Sequence, residues 1–297
     1  MERVRQVQAA GARIAVREWG DEDARPVLYW HALGPATSGE TVAEAAPALV
    51  AKGFRVVAID APGFGASPPL PPERYELEPL LDLVDELADA LELRRFAFVG
   101  HSWGGAIAVH FAATRPDRVS ALVLLDSGHV DYGALPEVEV GRPLEAWIDE
   151  ARSRTWRWAN EAAFADDLAG AVQRWSSELL HAYRAGVRHD GSELVGSSPE
   201  TRGAAFRGIA EARQSDAWPR LREAEVPILL LLATLPPHVD VNERLVSAFV
   251  HALPHAEVRW VPNAGHALLA DAGPALGEEI ADWLAVHCPR DHDERAP

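Results

Sequence analysis

Residues 96–105 constrain the possible folds of this chain most, because they join three kinds of local structure without a gap. Residues 96–99 are apolar and partly aromatic, which is typical of a buried parallel strand. A G-x-S-x-G pattern centred on Ser102 follows, and residues 106–113 then form a helical pattern. A serine in that setting occupies a sharp turn with its hydroxyl exposed at the carboxyl edge of the sheet. The pattern therefore predicts a nucleophile at Ser102.

Apolar runs alternate with helical patterns along the rest of the chain. This alternation predicts the α/β fold class, with a mostly parallel sheet and helices on both of its faces. The predicted strands are residues 12–19, 26–30, 54–60, 96–99, 121–125, 227–232 and 257–261. The predicted helices besides the one after Ser102 are residues 41–51, 77–93 and 276–286.

The strand pattern disappears between residues 130 and 219. About 90 residues is too long for an ordinary connection, so this region should have structure of its own. We expect a helical cap over the carboxyl ends of the strands, where ligands bind in open α/β sheets. The predicted core is residues 1–129 and 220–297, and the predicted cap is residues 130–219. Most tryptophans of the cap are expected to pack inside it.

Composition argues against several partners and locations. The net charge of −17 argues against nucleic acid and anionic membranes. The chain has no long apolar run, so we expect neither a membrane span nor a secretory signal. The single cysteine, Cys288, excludes an internal disulfide and favours a cytoplasmic location. Neither a metal-ligand cluster nor a phosphate-binding loop is recognisable, so no metal and no cofactor is expected, and the oligomeric state stays open.

A serine hydroxyl needs a base, and that base needs a carboxylate to orient it. His266 is the predicted base, because it follows the strand at residues 257–261 in a Pro/Gly loop. That loop would place its imidazole at the same sheet edge as Ser102.

These motifs resemble those of α/β-hydrolase fold enzymes that carry a cap. The resemblance covers residues 10–128 and 220–287. It rests on residues 30–34 (WHALG), 60–67 (DAPGFGAS), 100–105 (GHSWGG) and 265–266 (GH). It implies an eight-stranded sheet and a serine hydrolase that uses no cofactor. It also implies an oxyanion hole formed by the backbone amides of Leu33 and Trp103.

The loop after the strand at residues 26–30 departs from the family pattern. Ala32 stands where the family usually has glycine, and alanine allows fewer backbone conformations. His31, beside it, is interpreted as a hydrogen-bonding residue that braces the loop rather than as a catalytic residue.

The position of the carboxylate that would orient His266 is a second departure from the family pattern. In the turn after residues 227–232, the family's usual place for it, Pro236 and His238 occupy the expected positions, and neither can serve. Some members of the fold instead place the acid at the end of the strand that here spans residues 121–125, and this chain has Asp126 there. We therefore expect Asp126 to be the acid, with Asp240 as the alternative.

The function expected from this resemblance is cleavage of a carboxylic ester or lactone, apolar and bulky, through an acyl-enzyme on Ser102. The serine argues against the dehalogenases and epoxide hydrolases of this fold, which place an aspartate there. The alternatives are a C–C bond hydrolase, an aminopeptidase, a cofactor-free perhydrolase, or a ligand-binding protein with vestigial activity.

Overall fold

A computed structural model describes residues 3–154 and 156–288. Its strands are β1 (Arg3–Ala9), β2 (Ala12–Trp19), β3 (Arg25–Trp30), β4 (Phe54–Ile59), β5 (Phe96–His101), β6 (Val119–Leu125), β7 (Arg157–Trp158), β8 (Arg188–Asp190), β9 (Glu193–Val195), β10 (Ile228–Ala233) and β11 (Glu257–Val261). The helices are α1 (Ala46–Ala51), α2 (Leu77–Ala90), α3 (Trp103–Thr114), α4 (Leu144–Ser153), α5 (Glu161–Ala171), α6 (Ser177–Arg184), α7 (Pro199–Glu211), α8 (Trp218–Ala224), α9 (His238–Ala252), α10 (Leu268–Ala272) and α11 (Pro274–His287). Short 3-10 helices span Gly39–Val42, Pro72–Tyr75, Pro116–Arg118, Tyr132–Ala134 and Gln214–Asp216.

The main sheet has eight strands in the order β1-β2-β4-β3-β5-β6-β10-β11. Strands β1 and β2 run antiparallel to their neighbours, and all the remaining pairs are parallel. The predicted α/β class with a mostly parallel eight-stranded sheet is confirmed. The carboxyl ends of β3, β4, β5, β6, β10 and β11 therefore meet at one edge of the sheet.

Strand β1 has no counterpart among the predicted strands. Among the described strands it lies at the edge of the sheet beside β2, and it is mostly exposed, so its sequence needs no continuous apolar run. Ala10 and Gly11 connect it to β2 with positive φ values of 47° and 70°, the conformation of a tight two-residue hairpin turn.

Helices cover both faces of the sheet, as predicted. Strands β4, β5 and β10 are buried along their whole length, so both of their faces are in the core. The helix predicted over residues 77–93 is α2, which buries one apolar face through Leu80, Leu83, Val84 and Leu87. The helix predicted over residues 41–51 is shorter, because α1 begins next to Pro47, which lacks an N–H and is tolerated only in the first turn.

The region between residues 130 and 217 contains more than the helices predicted for it. It contains α4 to α7, but also a three-stranded sheet in the order β7-β9-β8. These strands are only two or three residues long, too short to produce an alternating pattern in the sequence. Helix α8 begins at Trp218, inside the predicted cap. The Trp218 ring nevertheless packs edge-to-face against that of Phe249, which belongs to α9 in the core.

This inserted segment contacts loops that follow the carboxyl ends of the strands. The Gln173 amide donates to Asp271 Oδ1 at 2.7 Å, beside the loop after β11. Gly196 approaches the Pro35 carbonyl in the loop after β3 so closely that a side chain would not fit. The predicted packing of cap tryptophans is seen where Trp158 meets Phe164, with ring centroids 4.9 Å apart. Within residues 3–154 and 156–288, no helix is long and apolar enough to cross a membrane.

Candidate active site

Ser102 lies in a strained turn between β5 and α3. Its backbone has φ 53° and ψ −111°, a conformation that a residue with a side chain rarely adopts. Glycines on either side make the turn possible. A Cβ at Gly100 would lie 2.5 Å from the Gly104 carbonyl oxygen, and one at Gly104 would lie even closer to the Trp30 carbonyl oxygen. The strand, turn and helix therefore meet around Ser102 as the sequence pattern predicts.

The two residues expected to form the oxyanion hole lie in adjacent segments of the sheet edge. Trp103 is the first residue of α3, so its amide has no partner within the helix. Its indole is buried against Trp30, with ring centroids 5.3 Å apart. Leu33 is half-buried in the loop after β3 and packs against the core.

His31 braces the loop that carries Leu33. Its Nδ1–H donates to the Ala32 carbonyl at 2.8 Å, while its Nε2 accepts from the Ala61 amide at 3.0 Å. These two bonds fit a neutral ring with the proton on Nδ1. Burial lowers the pKa of His31 to about 4, which keeps the ring neutral. Both hydrogen bonds of His31 join backbone groups of neighbouring loops, so the ring stabilises the conformation of these loops.

The structure brings His266 to Asp126. The imidazole Nδ1–H donates to Asp126 Oδ2 at 2.6 Å, across 140 residues of sequence. Asp126 directly follows β6, has a positive φ of 50°, and has only 1% of its side chain exposed. With Nδ1 committed to the carboxylate, Nε2 is the nitrogen left to accept a proton.

The other oxygen of Asp126 is also fully engaged. Its Oδ1 accepts from the Ala233 amide at 3.0 Å and from Asn242 Nδ2 at 2.6 Å. Burial on its own would raise the pKa of this carboxyl. Hydrogen bonding to His266 and its charge, with the Ala233 and Asn242 donors, outweigh burial and hold the pKa at about 2. The group is therefore a carboxylate at neutral pH.

The alternative acid, Asp240, lies elsewhere. It is exposed in the first turn of α9, and among the described residues no hydrogen bond joins it to His266. Helix α9 begins at His238, so this histidine rather than Asp240 approaches the Asp126 carboxylate. His238 Nδ1 lies 3.7 Å from Asp126 Oδ2, and its ring is stacked on that of His266.

Two further histidines surround this pair. His101 Nε2 donates to the His266 carbonyl at 2.6 Å, and His129 Nε2 donates to Asn242 Oδ1 at 2.9 Å. Burial lowers the pKa of His101 to about 3 and also lowers the pKa of His129. Both rings therefore stay neutral. The sequence places them beside the Ser102 and Asp126 motifs, but nothing in their spacing indicates these contacts.

Tyr132 is a site residue that the sequence reasoning missed. Burial raises its pKa to about 12, and the Asp126 charge adds to the rise. Hydrogen bonding to the side chains of Ser127 and Ser102 opposes that rise, which places the phenol beside the predicted nucleophile. Ser127 in turn donates to the Ser102 carbonyl. At neutral pH the phenol keeps its proton and is a hydrogen-bond donor.

Asp126, His238 and His266 together offer three donor atoms within 4.8 Å of one another. No spacing in the sequence indicates this group, because its members come from three distant segments. The two imidazole planes are only 9° apart, so their lone pairs lie in separate, nearly parallel planes and do not converge on one point. A metal ion needs ligand lone pairs aimed at one point, and this arrangement suits an imidazole pair better.

Buried neutral histidines make folding stability depend on pH. Burial lowers the pKa of His31 and His110 to about 4 and that of His101 to about 3, from 6.5 in the unfolded chain. Below 6.5 the unfolded state binds more protons, so stability is lost as pH falls from 6.5 towards 4. Lowering the pH from 7 to 5 should reduce the unfolding free energy by about 2 kcal/mol for each histidine.

Urea unfolding at the two pH values measures this loss. His110 is the useful variant, because it lies in α3 away from the Asp126 cluster and its Nε2 has no hydrogen-bond partner among the described residues. His110→Gln should reduce the pH-dependent loss by about 2 kcal/mol. Equal urea midpoints at pH 5 and pH 7 for the unaltered protein would contradict the account.

The comparison with known families agrees with this geometry. Residues 25–272 match the family model of the α/β hydrolase fold. The chain belongs to the α/β-hydrolase fold family.

Similar proteins carry out different reactions. A Bacillus subtilis protein proposed as a 2-succinyl-6-hydroxy-2,4-cyclohexadiene-1-carboxylate synthase is 28% identical over 283 residues, 92% of this chain and 95% of that protein. A haloalkane dehalogenase of Mycolicibacterium paratuberculosis is 30% identical over 288 residues, 91% of this chain and 87% of that protein. A thioesterase domain from the curacin biosynthetic pathway superposes with a TM-score of 0.75 at 21% identity, covering 95% of this chain and 99% of that domain. The last likeness shows the fold alone, so the reaction must be argued from the site.

Proposed function

We propose that this protein is a serine hydrolase that cleaves a carboxylic ester or lactone, with Ser102 as nucleophile, His266 as base and Asp126 as acid. The 2.6 Å hydrogen bond from His266 Nδ1 to the buried carboxylate of Asp126 carries the proposal. A base held in this tautomer, with a serine in a strained turn at the same edge of the sheet, is the arrangement that acyl transfer requires.

The proposed reaction has two halves. Ser102 Oγ attacks the carbonyl carbon as His266 Nε2 takes its proton, and the amides of Leu33 and Trp103 bind the resulting oxyanion. The C–O bond to the leaving group then breaks, His266 returns the proton to the leaving oxygen, and an acyl-enzyme ester remains. Water attacks that ester with His266 again as base, which releases the acid and restores Ser102.

The charges around His266 suit this sequence of proton transfers. The Asp126 carboxylate faces the imidazolium that forms in each half-reaction and stabilises it. Burial lowers the pKa of His101 and His129, so no second positive charge from them opposes the imidazolium. The Asp126 carboxylate therefore stabilises the transition state, in which His266 carries a positive charge, more than it stabilises the resting enzyme.

A serine nucleophile disfavours the dehalogenase reaction. Attack by Ser102 on an alkyl halide would form an ether, which water activated by His266 cannot cleave. Attack on an ester or lactone forms an acyl ester, which it can cleave. The half-buried side chains of Leu33 and Tyr132, which pack against the core, favour an apolar substrate next to Ser102.

A substrate panel tests this function. Turnover of p-nitrophenyl esters, aliphatic and aromatic lactones, thioesters and anilides should be measured with the Ser102→Ala variant as background. We expect esters or lactones to be cleaved well above that background and anilides poorly. Tight binding of such compounds without any turnover would contradict the proposal and favour a binding protein.

A further inference from the structure

We propose that His238 is a positioning residue for the base: its imidazole stacks on His266 and holds that ring in the plane where Nδ1 meets Asp126. This inference rests on the proposed function, in which His266 is the base. His238 comes from the turn where most members of the family would carry the acid, so here a second imidazole occupies that side of the base.

The stacking is close and nearly parallel. The ring centroids of His238 and His266 are 4.2 Å apart, and the planes differ by 9°. His101 approaches the base with its centroid at 5.3 Å and holds its backbone carbonyl. Rotation of His266 about its side-chain bonds would break contact with the His238 ring.

Helix α9 delivers His238 to this place. His238 is its first residue, and Asn242, one turn later, donates to Asp126 Oδ1 at 2.6 Å. Residues four apart lie on the same face of a helix, so one face of α9 contacts both the acid and the base. The hydrogen bond from Asn242 to Asp126 thus fixes the position and the rotation about its axis of the helix end that carries the stacked ring.

The stacked ring also restricts access of water to the acid–base pair. The His238 side chain is 40% exposed, that of His266 is 30% exposed and that of Asp126 only 1%. His238 lies 3.7 Å from Asp126 Oδ2, too far for a hydrogen bond but close enough to occupy the space beside it. Removing the ring would let water compete with His266 for the carboxylate.

The stack should act most strongly in the transition state. His266 becomes positively charged there, and a neutral aromatic face stabilises a cation beside it. Burial and the neighbouring His266 lower the pKa of His238, which keeps it neutral, although Asp126 opposes this shift. A residue acting in this way affects kcat and leaves substrate binding nearly unchanged.

Three variants test this role. His238→Ala removes the ring, His238→Phe keeps a flat ring without nitrogens, and His251→Ala is the control, because His251 is exposed near the end of the same helix. We expect His238→Ala to lower kcat about tenfold or more with KM within about twofold, and His238→Phe to restore most of the loss. An unchanged kcat in His238→Ala, a change confined to KM, or an equal loss in His238→Phe would overturn the proposal.

A proton NMR measurement separates this inference from the proposed function. The His266 Nδ1 proton, bonded to a buried carboxylate, should give a downfield resonance that disappears in His266→Gln. It should broaden through solvent exchange in His238→Ala but persist in His238→Phe and His251→Ala. If the unaltered protein cleaves no ester, the proposed function fails, yet this signal still decides the positioning role. A resonance unchanged by His238→Ala would overturn it.

Discussion

Replacing Ser102 by alanine is expected to lower kcat for the best ester or lactone on the order of a millionfold. Alanine cannot form the acyl-enzyme, and only binding and the oxyanion-hole amides would remain to promote attack by water. The backbone should keep its conformation, since Gly100 and Gly104 still leave room for the turn. Initial rates at saturating substrate measure the effect.

The control for this variant is Ser153→Ala. Ser153 is exposed at the end of α4, and its hydroxyl donates to the Glu150 carbonyl of the same helix, so its loss should leave kcat unchanged. A Ser102→Ala protein that keeps a tenth of the original turnover would show that another group attacks the substrate. Near-identical thermal unfolding of the two variants would exclude a folding defect as the cause.

Replacing Asp126 by asparagine is expected to lower kcat by about ten-thousandfold. The amide would donate to His266 Nδ1 and so force the ring proton onto Nε2, which could then no longer accept the serine proton. The carbonyl of the new side chain could still accept from the Ala233 amide, which limits the structural change. Initial rates with the substrate used for Ser102→Ala measure the effect.

Asp240→Asn is the matched control for this change. Both substitutions replace a carboxylate by an amide, and the sequence alone left both residues as candidate acids. Asp240 is exposed in the first turn of α9, so its replacement should leave turnover unchanged. A large loss in Asp240→Asn together with near-normal turnover in Asp126→Asn would reverse the assignment.

The region around Ser102 was predictable because its constraints are local. The apolar strand, the small residues that permit the turn and the helix that follows are consecutive in sequence. Glycine at positions 100 and 104 is required by backbone groups of the same turn and of neighbouring β3. The parallel sheet follows for a similar reason, since each buried strand is a short apolar run that needs no partner to be recognised.

The surroundings of Asp126 were harder to predict because they depend on distant segments. The Asn242 and His266 contacts with Asp126 join residues 116 and 140 positions apart. The first residue of α9 decides that His238, and not Asp240, approaches the carboxylate, and helix ends are the least certain part of a sequence prediction. Tyr132 was missed because it lies in a short 3-10 turn without a pattern of its own.

The central claim is that Ser102, activated by His266 and Asp126, attacks a carbonyl carbon. Its most direct measurement is peptide mass spectrometry after treatment with a p-nitrophenyl phosphonate, which mimics the tetrahedral intermediate and stays bound to an activated serine. The account predicts one adduct, on Ser102, that forms much more slowly in Asp126→Asn and at the normal rate in Asp240→Asn. An adduct on another residue, or ester turnover that continues while Ser102 is fully modified, would contradict it.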